Sequence, residues 1–153
     1  MDQQPSEKRP RVLVVCHGNI CRSPLAAGVL QRLLGLQSVR QGGFVNPGRR
    51  SPLKIREFSK RAGHNLEEHR SRLITLSDIE WAQVILYMDG GNRKRLNSFE
   101  ASLDGKCKCL GEFIGKDRIA DPNFIPRGVG LTNLLDSIVE ASSNAAETLR
   151  QDT

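Results

Sequence analysis

Residues 12–24 read VLVVCHGNICRSP, and their pattern is the strongest indication of the fold in this chain. Its first four residues are apolar and mostly β-branched, which is typical of a strand buried on both faces of a sheet. Ser23 and Pro24 predict a helix start, with Ser23 as N-cap and Pro24 at the first helical position. Apolar residues then recur at helical spacing until Gly35. The stretch therefore predicts a strand, a tight loop and a helix in direct succession.

The rest of the chain alternates further strands with further helices. Strands are predicted near Val39, over residues 84–88 and around residues 107–110. Helices are predicted from Ser51-Pro52 to Gly63, from a capping box formed by Ser77 and Glu80, and from Leu131 onward. Asp89, which precedes two glycines, is interpreted as a turn residue.

This alternation predicts an α/β fold with a parallel sheet and helices on both of its faces. Ligands of such sheets bind beyond the carboxyl ends of the strands, near the switch in strand order. The loop of residues 16–22 follows the first strand and lies at such an end. The sequence therefore predicts that the functional site lies in this loop.

The chain has 153 residues, which suits one domain. We expect a flexible arm over residues 1–10 and a single domain over residues 11–150. The first ten residues are polar, and no apolar run approaches the roughly 20 residues that span a bilayer. The sequence thus predicts a cytoplasmic protein with no membrane partner.

The net charge of +6 favours an anionic partner, and both nucleic acid and phosphorylated proteins fit that charge. Only 5% of residues are aromatic, and none are interleaved with Lys or Arg in a run. Because proteins bind single-stranded nucleic acid by stacking bases on aromatic side chains, we expect no nucleic-acid partner.

The 16–22 loop has the composition of an anion-binding site. Gly18 permits close approach of the backbone and Asn19 tolerates a left-handed conformation, so successive amides can surround a phosphate. The following helix adds its positive N-terminal end, and Arg22 can bind two oxygens with its planar guanidinium group. The same positive field favours the thiolate of Cys16, a nucleophile suited to in-line attack on phosphorus. A cysteine that ends a strand is more often only a buried thiol, but its position between strand and helix favours the functional interpretation.

Residues 15–24 resemble the signature of the low-molecular-weight protein tyrosine phosphatases, and the resemblance extends over residues 11–150. It is carried further by GRRSP at 48–52, His69, ILYMD at 85–89, LGEF at 110–113 and Asp121-Pro122. The family implies a single-domain, four-stranded parallel sheet of the flavodoxin-like or phosphotyrosine phosphatase I-like type. It also implies no metal and no organic cofactor.

The resemblance assigns roles to three side chains: Cys16 attacks the phosphorus, Arg22 binds the phosphate and Asp121 donates a proton. It implies that the phosphate is bound by His17, Gly18, Asn19, Ile20, Cys21, Arg22 and Ser23. The residues themselves support Asp121 as the acid, because Pro122 biases it to an extended conformation and stiffens its loop. Without the resemblance, an ordinary Asp-Pro turn fits equally well.

Four further residues carry weaker predictions. Relatives with a cysteine at the position of Cys21 use it as a reversible redox partner of the nucleophile, while small-residue packing is the alternative. His69 resembles a histidine that supports the loop, although a surface histidine at a helix end is nearly as consistent. Cys107 and Cys109 lie on one face of a strand, but no further ligand stands at metal-binding spacing, so we expect no zinc site.

The sequence departs from the family pattern around the expected pocket. Asn123 precedes Phe124 where the family has aromatic residues, so stacking on a phenol ring is weakened. Gln41 or Arg40 must replace a serine that holds the loop asparagine. Other differences are Phe44 and Val45 in place of a larger aromatic residue, and a basic cluster that either attracts acidic phosphopeptides or forms a solvated face: Arg49, Arg50, Lys54 and Arg56.

Hydrolysis of phosphotyrosine in protein substrates, by a monomer or weak homodimer, is the function predicted. Arsenate reduction on the same fold is disfavoured by Tyr87 and Arg93, which stand where such relatives carry relay cysteines. A phosphoarginine phosphatase is disfavoured by Ile20, where those relatives carry threonine. A non-catalytic phosphate- or RNA-binding module would need neither a thiolate nor a general acid.

Overall fold

The computed structural model describes residues 9–152, so most of the arm predicted over residues 1–10 lies outside the described residues. The four strands are β1 (Val12–Val15), β2 (Val39–Gly42), β3 (Val84–Tyr87) and β4 (Cys107–Cys109). They form one sheet in the order β2-β1-β3-β4, and all three pairings are parallel. The predicted four-stranded parallel sheet is confirmed.

In the described part of the chain, five α-helices cover the sheet: α1 (Arg22–Leu34), α2 (Leu53–Arg61), α3 (Leu76–Trp81), α4 (Gly90–Leu96) and α5 (Val129–Gln151). Short 3-10 helices occupy Leu36–Ser38, Leu110–Ile114 and Pro122–Phe124. The longest helix, α5, has 23 residues. Within residues 9–152, no helix combines the length and the apolar character required to cross a membrane.

Both faces of β1 are buried, each in a separate core. Val12 and Val14 pack with apolar residues of α1, α2 and α5. Leu13 and Val15 face the opposite way and pack with residues of α3, β3 and α4. Helices therefore lie on both faces of the sheet, as the continuous apolar run of β1 predicts.

The strand order changes direction at β1, because β2 lies on one side of it and β3 on the other. Val15, the last residue of β1, is in register with Gly42, and the Cys16 amide donates to the Gly42 carbonyl. The 16–22 loop thus leaves the sheet at the switch point, where open α/β sheets bind their ligands.

The predicted start of α1 was wrong by two residues. The helix begins at Arg22 with Cys21 as its N-cap residue, and Ser23 lies inside the first turn. The Ser23 hydroxyl is 3.0 Å from the Cys16 sulfur and accepts a hydrogen bond from the Asn19 amide. Its side chain therefore bonds to the loop instead of capping the helix. Pro24 still fits the first turn, where backbone N–H groups have no intrahelical acceptor.

The capping box of α3 is also displaced from its predicted place. It is formed by Thr75 and Asp78, whose side chains each accept a hydrogen bond from the backbone N–H of the other. Ser77 and Glu80 lie inside the helix. Asp78 also forms an ion pair with Arg72 at 2.8 Å, a tertiary contact that helps to fix the earlier start.

Asp89, interpreted from the sequence as a turn residue, is instead the N-cap of α4. Its carboxylate accepts a hydrogen bond from the Asn92 backbone N–H at 2.9 Å. Gly90 and Gly91 belong to the helix. An N-cap bond of this kind offsets the low helix propensity of two successive glycines.

Gly43, directly after β2, lies against the 16–22 loop. The next amide, that of Phe44, donates to the His17 carbonyl at 2.9 Å. A Cβ atom on Gly43 would lie 2.9 Å from the same carbonyl oxygen and 3.0 Å from the Asn19 backbone nitrogen. Only glycine fits here without displacing the loop.

Gly43→Ala should therefore lower the free energy of unfolding by about 1–3 kcal/mol, the usual cost of overpacking. Gly130→Ala is the matched control, because a methyl group there would meet no other part of the chain within 4 Å. That variant should be up to about 1 kcal/mol more stable, since alanine favours the helix. Urea denaturation of both variants and the parent measures the difference. Equal stability of Gly43→Ala and the parent would contradict the close approach.

Candidate active site

A small cavity of about 50 Å³ opens at the carboxyl end of β1. Its nine lining residues are Cys16, His17, Gly18, Ile20, Cys21, Arg22, Arg49, Asp121 and Asn123. The cavity brings together the three side chains to which the sequence assigned catalysis, one of which lies about a hundred residues from the others. Asn19 and Ser23, also predicted to bind phosphate, are buried behind it and bond to the loop itself.

Asn19 holds the 16–22 loop in its conformation. Its backbone is left-handed, with φ of 58°, as the sequence predicts. Its side-chain nitrogen donates to Ser23 Oγ at 2.8 Å and to Gln41 Oε1 at 2.9 Å. Its side-chain oxygen accepts from the Arg72 backbone N–H at 3.0 Å. Of the two residues proposed to replace the family serine, Gln41 is the one that does so.

His69 supports the same residue from the other side. Its Nε2 lies 2.8 Å from the Asn19 carbonyl oxygen. Burial lowers the pKa of His69, so the ring is neutral at physiological pH and Nε2 donates to the carbonyl. The contact predicted between His69 and the loop is confirmed.

Two hydrogen bonds converge on the Cys16 sulfur, which is almost fully buried. Ser23 Oγ lies 3.0 Å from it, and the Ser23 backbone N–H donates to it at 3.4 Å. Because Ser23 Oγ also accepts a bond from Asn19, its own proton is directed at the sulfur when Cys16 is a thiolate. This chain of donors stabilises negative charge on the sulfur.

Cys21 lines the same cavity as Cys16. Burial, followed by the charge of Cys16, raises the pKa of Cys21 to about 12. Cys21 is therefore a neutral thiol at physiological pH.

Arg22 is 2% exposed and is fixed at one end of its guanidinium group. Its Nη1 donates to Asp89 Oδ2 at 2.7 Å and to the Ile119 carbonyl at 2.8 Å. Burial opposes ionisation of Asp89, but hydrogen bonds from Arg22 and from the Asn92 and Gly91 amides outweigh it and lower the Asp89 pKa. The pair is thus ionised and holds the guanidinium group in one orientation.

Asp89 is a site residue whose contact with Arg22 the sequence did not show. From the sequence it was interpreted only as a turn residue. Its partner lies 67 residues earlier in the chain, so no local pattern connects them. The one available signal was an Asp at a strand end with Asn three residues later, which is compatible with a helix N-cap.

Asp121 lies at the cavity mouth, with its side chain 40% exposed and Oδ2 3.9 Å from Arg22 Nη2. It caps the short helix Pro122–Phe124 by accepting from the Asn123 N–H at 2.9 Å. Asn123 lines the cavity, whereas Phe124 is 85% exposed outside it. No Phe, Tyr or Trp is among the nine lining residues, as the sequence departure at Asn123 suggested.

Arg49 lines the cavity although the sequence placed it only in a basic cluster. It lies 27 residues beyond the end of the 16–22 loop, and nothing in its neighbours distinguishes it from Arg50. Cys107 and Cys109 remain outside the site. Within residues 9–152, no three His, Cys, Asp or Glu side chains are grouped so as to hold a metal ion.

Residues 11–153 match the family model described as low molecular weight phosphotyrosine protein phosphatase. The probable low molecular weight protein-tyrosine-phosphatase EpsP of Ralstonia nicotianae is 37% identical over 112 residues, covering 72% of this chain and 77% of EpsP. The protein-arginine-phosphatase of Geobacillus stearothermophilus is 33% identical over 116 residues, covering 73% and 78%. Wzb of Vibrio vulnificus in complex with benzylphosphonate superposes with a TM-score of 0.82 at 28% identity, covering 93% of this chain and all of that one. The chain therefore belongs to the low-molecular-weight phosphotyrosine protein phosphatase family.

Proposed function

We propose that the protein is a protein tyrosine phosphatase that hydrolyses phosphotyrosine through a cysteinyl-phosphate intermediate. The observation that carries the proposal is the convergence of Cys16, Arg22 and Asp121 on one cavity beneath a helix N-terminus. Membership of the family and the names of the relatives EpsP and Wzb support the reaction class.

In the first step, the Cys16 thiolate attacks phosphorus and the bond from phosphorus to the tyrosine oxygen breaks. Asp121, as the carboxylic acid, donates its proton to the departing oxygen. The non-bridging oxygens are bound by Arg22 and by backbone N–H groups of residues 17–22. Tyrosine leaves, and the phosphoryl group is bonded to sulfur.

In the second step, water attacks the cysteinyl phosphate and the Asp121 carboxylate accepts the proton of that water. The phosphorus–sulfur bond breaks, inorganic phosphate is released and the thiolate is restored. The hydrogen bonds from Ser23 stabilise the departing thiolate. Asp89 keeps Arg22 directed at the phosphoryl oxygens throughout.

Hydrolysis of phosphoarginine is the competing function, because one relative is named a protein-arginine-phosphatase. Ile20 favours tyrosine, since it contributes an apolar side chain to the cavity wall. An apolar wall suits a phenol ring better than a charged guanidinium group. Phosphoprotein substrates, a cytoplasmic location and a monomer or weak homodimer complete the proposal, with residues 11–150 as the single catalytic domain.

The protein should release phosphate faster from a phosphotyrosine peptide than from matched phosphoserine or phosphoarginine peptides. Cys16→Ser should have no turnover, because a serine hydroxyl is protonated at neutral pH and far less nucleophilic. The variant should still bind vanadate, since Arg22 and the loop amides remain. Phosphate release measures turnover, and a vanadate titration measures binding.

Substantial turnover by Cys16→Ser would contradict the assigned nucleophile. Faster hydrolysis of phosphoarginine would replace tyrosine with arginine as the substrate. An arsenate reduction assay under the same conditions tests the other alternative, that the protein is an arsenate reductase.

Asp121→Asn should lose activity to a degree that depends on the leaving group. Positioned acids and bases contribute typically about 100- to 10,000-fold. With phosphotyrosine, whose phenolate leaving group is basic, the rate of the first turnover should fall by most of that factor. An activated aryl phosphate needs little protonation and should give a burst of aryl alcohol followed by slow turnover. Rapid-quench measurement of both first turnovers decides this, and equal slowing of both would exclude Asp121 as the acid.

We also propose that Cys21 protects Cys16 from irreversible oxidation. Peroxide converts the Cys16 thiolate to a sulfenic acid, which condenses with the Cys21 thiol to a disulfide and water. Cys21 itself reacts slowly with peroxide, because its raised pKa keeps it protonated.

After identical peroxide treatment, the parent protein should regain its activity with a dithiol, whereas Cys21→Ser should regain much less. Without Cys21, the sulfenic acid proceeds to higher oxidation states that thiols do not reduce. Cys107→Ser is the control, because Cys107 does not line the cavity, and it should recover like the parent. Equal recovery of all three proteins would contradict the protective role.

A further inference from the structure

Arg49 is held at the cavity wall by a rigid backbone. Its carbonyl accepts from the Ser71 N–H at 2.8 Å, and its own N–H donates to Ser71 Oγ at 2.9 Å. The preceding amide, that of Gly48, donates to the Ser71 carbonyl at 2.7 Å. Because Ser71 is buried, these three bonds fix the point from which the Arg49 side chain extends.

The guanidinium group of Arg49 packs over the 16–22 loop. Its Nε donates to the Asn46 carbonyl at 3.2 Å, which orients the group. Its Nη2 lies 2.8 Å from the point where Gly18 would carry a Cβ atom, so glycine at this position leaves the space that the arginine fills. Within residues 9–152, neither terminal nitrogen has a hydrogen-bond or ion-pair partner. Both are available to a ligand at the mouth.

The other members of the basic cluster already form ion pairs or hydrogen bonds within the protein. Arg50 and Arg56 form ion pairs with Glu67 at 2.6 and 3.2 Å. Lys54 donates to the carbonyls of Asn123 and Ile125. Among these four residues, Arg49 alone lines the cavity, and its charge has no carboxylate partner in residues 9–152. Arg49 is therefore the member of the cluster that lines the cavity, while the other three are hydrogen-bonded or ion-paired to groups outside its lining or to backbone carbonyls.

The rest of the cavity lining indicates what such a cation would contribute. Asn123 lines the cavity and Phe124 does not, so none of the nine lining residues offers an aromatic side chain to the ring of a phosphotyrosine. Substrate groups beside the ring can then add to the binding energy that the phosphate and the contact with Ile20 supply. A peptide presents the side chains next to its phosphotyrosine at the cavity mouth, and a guanidinium group pairs best with carboxylates, with two parallel hydrogen bonds.

We propose that Arg49 is a specificity-determining residue that selects phosphotyrosine flanked by aspartate or glutamate. The inference rests on the proposed function and adds the chemical class of its peptide substrates. By the same charge, Arg49 disfavours lysine or arginine at the flanking positions.

The test compares three phosphotyrosine peptides that differ only in the two flanking residues, which are Glu, Gln or Lys. The parent protein should show kcat/KM in the order Glu, Gln, Lys, with steps of about 2- to 5-fold per charge, the size of a partly screened ion pair. Raising the ionic strength should reduce the steps, because salt screens exposed charges.

Arg49→Met should hydrolyse the three peptides at more nearly equal rates, and Arg49→Glu should favour the lysine-flanked peptide. Both variants keep the backbone bonds to Ser71. Arg49→Lys should retain a reduced preference for Glu, since it keeps the charge but not the planar group. Arg50→Met is the matched control, because Arg50 does not line the cavity, and it should keep the parental preference.

Three results would overturn the inference while leaving phosphotyrosine hydrolysis intact. The first is equal kcat/KM of the parent protein for all three peptides. The second is an unchanged preference in Arg49→Met. The third is an equal loss on all three peptides in Arg49→Met, which would assign Arg49 to the phosphate or, by cation–π contact, to the ring. If the parent protein hydrolyses none of the peptides, the proposed function fails and the inference with it.

Discussion

The buried amide of Asn19 is the interaction on which the rest of the site depends. A left-handed backbone is uncommon for a residue with a side chain, and it persists where surrounding bonds over-determine it. Here the side chain makes three hydrogen bonds and the carbonyl a fourth, to His69. These bonds connect the 16–22 loop to β2 and to residues 69–72. The loop is thereby preorganised for the phosphate binding that we propose.

The charged side chains of the site come from three separate segments at the carboxyl end of the sheet. Arg22 comes from the start of α1, Asp89 from the end of β3 and Asp121 from the segment after β4. In a parallel sheet the carboxyl ends of all strands lie on the same side, so residues far apart in sequence converge there. Asp89 is engaged in orienting Arg22, while Asp121 stays half-exposed at the mouth. The two aspartates near Arg22 thus differ in exposure and in how closely they contact its guanidinium group.

Stability alone does not explain the ion pair between Arg22, which is buried, and Asp89, whose side chain is 27% exposed. Removing a guanidinium group from water is costly, and the attraction to a carboxylate offsets that cost only with good geometry. The Asp89 and Ile119 bonds to Nη1 provide such geometry and leave the remaining nitrogens of Arg22 for a ligand. The contribution we assign to the pair is orientation. Arg49 shows the same principle at the surface, where its backbone bonds to Ser71 position a charge without neutralising it.

The sequence by itself determined the features that short-range patterns encode. The apolar run of β1, the loop with Gly18 and Asn19 and the helical spacing after it predicted strand, loop and helix, and with the family resemblance they singled out Cys16, Arg22 and Asp121. Tertiary structure decided what each neighbouring polar group does. Ser23 bonds to Cys16 instead of capping α1, Asp89 fixes Arg22 across 67 residues, and Arg49 lines the cavity while Arg50 forms an ion pair with Glu67. Local propensity cannot distinguish these outcomes, because each depends on which partner a polar side chain meets once the sheet has brought distant loops together.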